Sequence, residues 1–157
     1  MVSSTVGCAF RRVERLSYHL MVIREAMRLY PPVAATERQA RHSMTIGPVA
    51  LKAGDLAVVL IYVMHRHRRL WTAPEMFDPE RFAPERSQGR HRFAYLPFGA
   101  GPRICIGAKF AELEAVAILA ALIRTLRFGP NPAHRIVPRM RITTRPDGGM
   151  PLFVEPR

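Results

Sequence analysis

The chain's densest chemistry lies between positions 98 and 107, Phe98-Gly-Ala-Gly-Pro-Arg-Ile-Cys-Ile-Gly107. Gly99, Gly101 and Gly107 permit backbone angles and close approaches that other residues resist. Cys105 stands just before a segment with a helical pattern, where free amides and the positive end of the helix dipole favour a thiolate over a thiol. Arg103, two positions earlier, adds a fixed cation able to hold a carboxylate. On residue types alone, a thiolate ligand and a buried structural thiol both remain open for Cys105, because free cysteines are often buried. The second cysteine, Cys8, is almost a hundred residues away and forms no CxxC pair, so neither a zinc ribbon nor a disulfide scaffold is expected. His65-Arg66-His67 contains a His-x-His pair with no third ligand nearby and reads as a polar turn. Glu25 and Arg28 have the i,i+3 spacing of an ion pair, common on solvated helix faces.

Two helices must position these groups. From 11 to 30, apolar residues at Val13, Leu16, Leu20, Ile23, Met27 and Tyr30 recur at intervals of three and four, which predicts one amphipathic helix. Pro31 and Pro32 end it, since proline lacks the N–H and biases its predecessor away from helical angles. The stretch 106–126 is rich in alanine and leucine, has no proline, and predicts a second long helix directly after Cys105. Between them, 44–46, 49–51 and 56–63 are short and rich in β-formers, and Gly-Pro and Ala-Gly-Asp turns separate them; they predict a small antiparallel sheet. Prolines at 74, 79, 84, 97 and 102 exclude a continuous helix or central strand across 71–107. The same stretch carries Trp71, Phe77, Phe82, Phe93, Tyr95 and Phe98, predicting an irregular segment ordered by aromatic packing. In the tail, Asp147-Gly148 suits a hairpin turn with positive φ.

Composition narrows the function classes. With 48% hydrophobic and 23% charged residues the chain can form a packed core, which excludes a disordered or collagen-like protein. Its apolar runs, 56–64 and 115–123, fall short of the roughly 18 to 20 residues needed to cross a bilayer, and no apolar h-region precedes the first charges. A cytoplasmic location is expected. Twenty-four basic residues against 12 acidic ones give a net charge of +12. Such a charge suits an acidic protein partner, anionic lipid or nucleic acid. The arginines are spread through periodic segments instead of forming a tail, so nucleic-acid binding is not the expected function.

The loop at 98–107 resembles the heme-binding signature FxxGxRxCxG of the cytochrome P450 family, matched at Phe98, Gly101, Arg103, Cys105 and Gly107. Two more family motifs follow the same order: Glu25-Ala-Met-Arg28 resembles ExxR, with Arg28-Leu-Tyr-Pro-Pro32 after it, and Pro79-Glu-Arg-Phe82 resembles PERF. The resemblance implies a mainly α fold with small antiparallel β-sheets, the C-terminal heme-binding part of the cytochrome P450 fold. It implies heme b (iron protoporphyrin IX) with Cys105 as its iron ligand, Arg103 on a propionate and Phe98 beside the sulfur. The thiolate's electron donation favours O–O cleavage, hence monooxygenation of a small organic substrate. Glu25, Arg28 and Arg81 would form a buried cluster that supports the pocket without catalysing. Arg38 would bind a second propionate. Val33, Ala34 and Ala35, and the hairpin tip at Gly148, Gly149 and Met150, would approach substrate.

The resemblance runs from about residue 15 onward, so residues 1–157 read as a partial cytochrome P450 domain, with 1–14 unassigned. It corresponds to the C-terminal third or so of a family member, of a soluble bacterial type. The distal-face helix with its acid-and-threonine pair would precede residue 1, and Ala53-Gly54-Asp55 is no substitute for it. The chain is therefore expected to be a truncated product or a mis-called start, inactive alone. Electrons would come from NAD(P)H through a ferredoxin, flavodoxin or reductase-type partner drawn to the basic face near Cys105. The contrasting expectation is a non-catalytic remnant that binds heme weakly or acts through its basic surface.

Overall fold

The computed structural model describes residues 16–157. Helix α1 (Ser17–Leu29) lies within the sequence-predicted helix; the predicted residues 11–15 fall outside the described part. Its C-terminal cap is Tyr30, whose N–H donates to the Ala26 carbonyl at 2.7 Å, and Pro31 can donate nothing further. Helix α4 (Ala108–Thr125) starts after Gly107 and runs without a break into a strand. The arginine of α1 and the glutamate of α4 that face each other, Arg24 and Glu112, form a two-pronged ion pair at 2.9 and 3.2 Å, which draws Arg24 further toward its charged form.

The β-structure consists of four two-stranded antiparallel ladders. Strand β1 (Thr36–Gln39) pairs with β4 (Leu56–Val59), with Thr36 opposite Val59. Strand β2 (Met44–Ile46) pairs with β3 (Val49–Leu51). These make two separate ladders where the sequence predicts one sheet. Strand β4 is also shorter than predicted: the run 56–63 turns at Leu60 into a one-turn helix α2 (Ile61–Met64). A short apolar run carries no period to distinguish these outcomes. The turn is fixed by distant contacts, for it lets Tyr62 donate to the Ala34 carbonyl at 2.9 Å and buries Ile61 at 1% exposure.

Strand β5 (Leu126–Pro130) pairs with the C-terminal β8 (Leu152–Pro156), and β6 (Pro138–Met140) with β7 (Thr144–Pro146). The expected turn at Asp147-Gly148 exists, with φ of +72° at Gly148 and +86° at Gly149. It does not close a hairpin, because its flanking strands β7 and β8 pair with different partners. The Thr144 N–H instead donates to the Pro32 carbonyl at 2.8 Å, tying β7 to the end of α1.

Between α2 and α4 the chain runs through a 3-10 turn (Pro79–Phe82), a one-turn helix α3 (Pro84–Ser87) and a second 3-10 turn (Gly101–Arg103). An aromatic cluster orders it: Trp71, Phe82 and Tyr95 meet with ring centroids 4.8 to 6.4 Å apart. Phe77 and Phe93 are exposed and do not join it. The apolar core of the described residues is small, comprising Leu29, Ile61, Trp71, Ala83, Ala94 and Val116. Along α4 only Val116 is buried, while Phe110, Ile118 and Leu122 face solvent.

Candidate functional site

The buried centre is charged. Glu25 and Arg28, one turn apart on α1, are both fully buried, and Arg81 is nearly so. Arg28 grips the Glu25 carboxylate with Nε at 2.7 Å and Nη2 at 2.8 Å. Arg81 approaches the same carboxylate at 3.3 Å, and the Asp78 N–H donates to it at 2.9 Å. One carboxylate thus faces two guanidiniums, and backbone carbonyls take up most of the remaining donors, while Arg81 Nε stays in ion-pair range of Glu25 without a hydrogen bond. Arg28 donates to His65, Pro74 and Met76, and Arg81 to Thr72 and Ala73. Ala73 has φ of +44°, the left-handed region that an L-residue with a Cβ resists. Its carbonyl is held there by Arg81. The cluster therefore clamps α1 to the irregular segment at residues 72–81, as burial of unlike charges requires saturated hydrogen bonding.

The expected turn is present at His65 and Arg66, but its histidine lies inside the protein. It is completely buried. Its Nδ1 donates to the Arg28 carbonyl at 3.2 Å and its Nε2 accepts from the Leu96 N–H at 2.8 Å, which sets the neutral tautomer. The Tyr95 ring stacks on it at 5.3 Å, while the Tyr95 hydroxyl donates to the Arg24 carbonyl at 3.0 Å. Burial pushes His65 down to about 4, and the neighbouring charges of Arg28 and Arg66 add to this. An unfolded histidine titrates near 6.5, so the neutral ring belongs to the folded state. This contribution is complete above pH 6.5 and is lost as pH falls from 6.5 to 4, by about 3 kcal/mol at most. Unfolding midpoints measured across that window should fall in the wild-type chain and fall less in His65→Gln; parallel curves would remove His65 as the cause. Asp78, held below the usual carboxylate range by its hydrogen bond from Arg86, loses its share only at lower pH.

The cysteine loop sits differently. Residues 101–106 are all exposed, Cys105 among them, and Phe98 and Gly107 are half-buried. The loop is closed by the Cys105 N–H donating to the Phe98 carbonyl at 3.0 Å. Gly99 and Gly101 have φ of +74° and +73°, so the sulfur's position depends on backbone that only glycine adopts without strain. The sequence neighbours of Cys105, Ile104 and Ile106, and Phe110 in the first turn of α4, are exposed, Ile106 completely. Arg103 is exposed with no partner among the described residues. The structure thus brings Phe98, Gly101, Arg103, Cys105 and Gly107 into one loop. Arg38 lies apart on β1, exposed and donating to Thr36 and to the Glu37 carbonyl. Val33, Ala35, Gly148, Gly149 and Met150 are exposed and Ala34 half-buried. Cys8 lies outside the described residues.

This arrangement suits a large, flat, partly apolar group that needs a single protein ligand. Among the described residues no three His, Cys, Asp or Glu side chains gather to hold a bare metal ion. A metal that arrives with its other ligands already in a macrocycle needs only the sulfur, the apolar surface around it, and a cation for acidic substituents. Cys105, the Ile104, Ile106 and Phe110 surface, and Arg103 are of those types, so the residues fit a heme.

The chain belongs to the cytochrome P450 family: the family model for Cytochrome P450 matches residues 5–153. It is similar to cytochrome P450 4B1 of Rattus norvegicus, 38% identical over 143 residues, which cover 90% of this chain and 28% of that protein. Cytochrome P450 4V2 of Mus musculus is 44% identical over 112 residues, covering 71% and 21%. Among solved structures, the cytochrome P450DA heme domain superposes with a TM-score of 0.88 at 29% identity, over 94% of this chain and 32% of that one. The cytochrome P450 CYP102L1 gives 0.84 at 34%, over 94% and 33%. The chain spans about a third or less of the length of these relatives. No helix among the described residues is long and apolar enough to cross a membrane.

Proposed function

We propose that residues 1–157 constitute the proximal, heme-binding portion of a heme-thiolate monooxygenase, with Cys105 as the iron ligand. The observation that carries this reading is the exposed thiol of Cys105, the one free thiol among the described residues, on a glycine-shaped loop whose neighbours Ile104, Ile106 and Phe110 are also exposed. Arg103 binds one heme propionate and Arg38 a second; Phe98 packs at the base of the sulfur's loop, and Gly101 and Gly107 leave the backbone free to follow it. Glu25, Arg28 and Arg81 hold the segment that carries the loop and touch no reacting atom. When bound, heme supplies dioxygen activation: with two electrons and two protons, one oxygen atom enters the substrate and the other leaves as water.

The substrate is a small organic molecule, approached by Val33, Ala34 and Ala35 from one side and by Gly149 and Met150 from another. Electrons originate from NAD(P)H and arrive through an acidic ferredoxin, flavodoxin or reductase-type partner. Exposed Arg92, Arg103 and Lys109 and the net charge of +12 favour such a partner by electrostatic complementarity. Nucleic acid is not a partner in this reading.

A group bound at Cys105 would lie against the exposed residues 101–106, where water reaches it instead of being excluded. The isolated chain is therefore expected to show no substrate-dependent product when heme, NAD(P)H and generic redox partners are supplied. Its exposed apolar side chains on α4 should also drive self-association. Product analysis with size-exclusion chromatography checks both, and a monomer with coupled turnover would overturn the expectation.

A further inference from the structure

We propose that His65 is the positioning residue of the cysteine loop, coupling the charge-clamped end of α1 to the backbone that carries Cys105; this rests on the reading of Cys105 as the heme ligand. The connection is continuous in hydrogen bonds. Arg28 donates from its guanidinium to the His65 carbonyl at 2.8 Å, and His65 donates from its ring back to the Arg28 carbonyl at 3.2 Å. Each residue therefore fixes the other's backbone. From the far side of the same ring, Nε2 accepts the Leu96 N–H at 2.8 Å. The Leu96 carbonyl in turn accepts from Gly99 at 3.1 Å, and the Phe98 carbonyl from Cys105 at 3.0 Å.

Rigidity enters at one end and is needed at the other. Glu25, Arg28 and His65 are completely buried, whereas residues 101–106 are exposed. Leu96 is half-buried and adjoins the buried Pro97, a few residues before the exposed stretch 101–106, and an imidazole is well shaped for that junction. Its two nitrogens lie on opposite edges of one rigid ring, so a donor contact and an acceptor contact are held at fixed separation without rotamer freedom in between. The Tyr95 ring stacked on it, anchored by its hydroxyl on Arg24, blocks reorientation. His65 touches no substrate and acts only through the Leu96 amide.

Two isosteric halves of the ring separate positioning from packing. In His65→Asn the side-chain amide can occupy the Nδ1 site and keep the bond to Arg28 while the Leu96 bond is lost. In His65→Gln the longer side chain places its carbonyl oxygen at the Nε2 site and keeps the Leu96 bond. Hydrogen–deuterium exchange on the full chain without heme should show roughly tenfold faster exchange at the Leu96, Gly99 and Cys105 amides in His65→Asn, the size expected for one lost buried hydrogen bond. The amides of α1 should stay near wild type, and His65→Gln should restore the loop. After heme loading, the fraction with a thiolate-type Soret band under CO should fall in Asn and recover in Gln. Equal exchange in Asn and wild type, equal loosening in Asn and Gln, or loss of α1 protection in Gln would each overturn the proposal. Because exchange is measured without heme, failure of Cys105 as ligand would show separately, in the spectra alone.

Discussion

Replacing Cys105 by alanine should abolish the thiolate-type Soret band of the heme-loaded, reduced, CO-treated chain, and replacing Cys8 by alanine should leave it intact. The loop explains why the first substitution isolates the sulfur. Its closure depends on the Cys105 N–H and the Phe98 carbonyl, and its path on the positive φ of Gly99 and Gly101; alanine retains all three. Cys105 is exposed, so loss of its side chain opens no core cavity of the kind that destabilises a fold. Heme should bind more weakly in the variant and give the spectrum of a non-thiolate ligand. A thiolate band that survives Cys105→Ala and disappears in Cys8→Ala would transfer the ligand to the N-terminal cysteine and remove the functional reading of the loop. Arg103→Ala is the graded companion: it should lower heme retention while the band keeps its position, since a cation on a carboxylate holds the group without touching the sulfur's bonds.

The same contrast between local and distant determinants decides what could be read from residues alone. Phe98 to Gly107 declare themselves because several uncommon residue types recur at fixed spacing, and the glycines act through their own backbone angles. For Arg28 and Arg81 the family resemblance implies the shared carboxylate of Glu25 but not the backbone partners. No spacing rule announces that the carbonyls of His65, Thr72, Ala73, Pro74 and Met76 share those two guanidiniums. At His65 the turn is legible but the burial is not, since the neighbours Arg66 and His67 suggest solvent. Its burial is decided by Arg28 and Leu96, 37 and 31 positions away. The end of β4 fails for a related reason: residues 56–63 are apolar throughout, and only the Ala34 carbonyl and the pocket for Ile61 convert their second half to α2. At Asp147-Gly148 the turn is local and legible, whereas the pairing of β7 and β8 with β6 and β5 is a property of the tail as a whole. A histidine followed by arginine between two apolar segments, with ExxR upstream, is the signal that could have singled out His65.

Arg28→Ala should cost about 3 to 5 kcal/mol of folding stability, the range for breaking a buried ion pair by removing one partner, and Arg124→Ala less than about 0.5 kcal/mol. The two residues share a side chain and a helical setting and differ in what surrounds them. Arg124 is exposed near the end of α4 with no ion pair among the described residues. Arg28 is completely buried, supplies two of the contacts to the Glu25 carboxylate, and is the donor to the carbonyls of His65 and Pro74. Its loss leaves Glu25 with Arg81 as its one cation beside the Asp78 N–H, and leaves the buried His65 carbonyl without its donor, at the cost of an unmet buried hydrogen bond. It also takes a cation from above the Trp71 ring, 5.1 Å away. Arg28→Lys should recover little, because an ammonium cannot grip a carboxylate with two parallel N–H groups while reaching carbonyls on its far side. Denaturant midpoints for the three variants, or the soluble fraction at one temperature where unfolding is irreversible, give the comparison. Matching losses in Arg28→Ala and Arg124→Ala would mean that the buried cluster does not hold α1 to the segment that leads to Cys105.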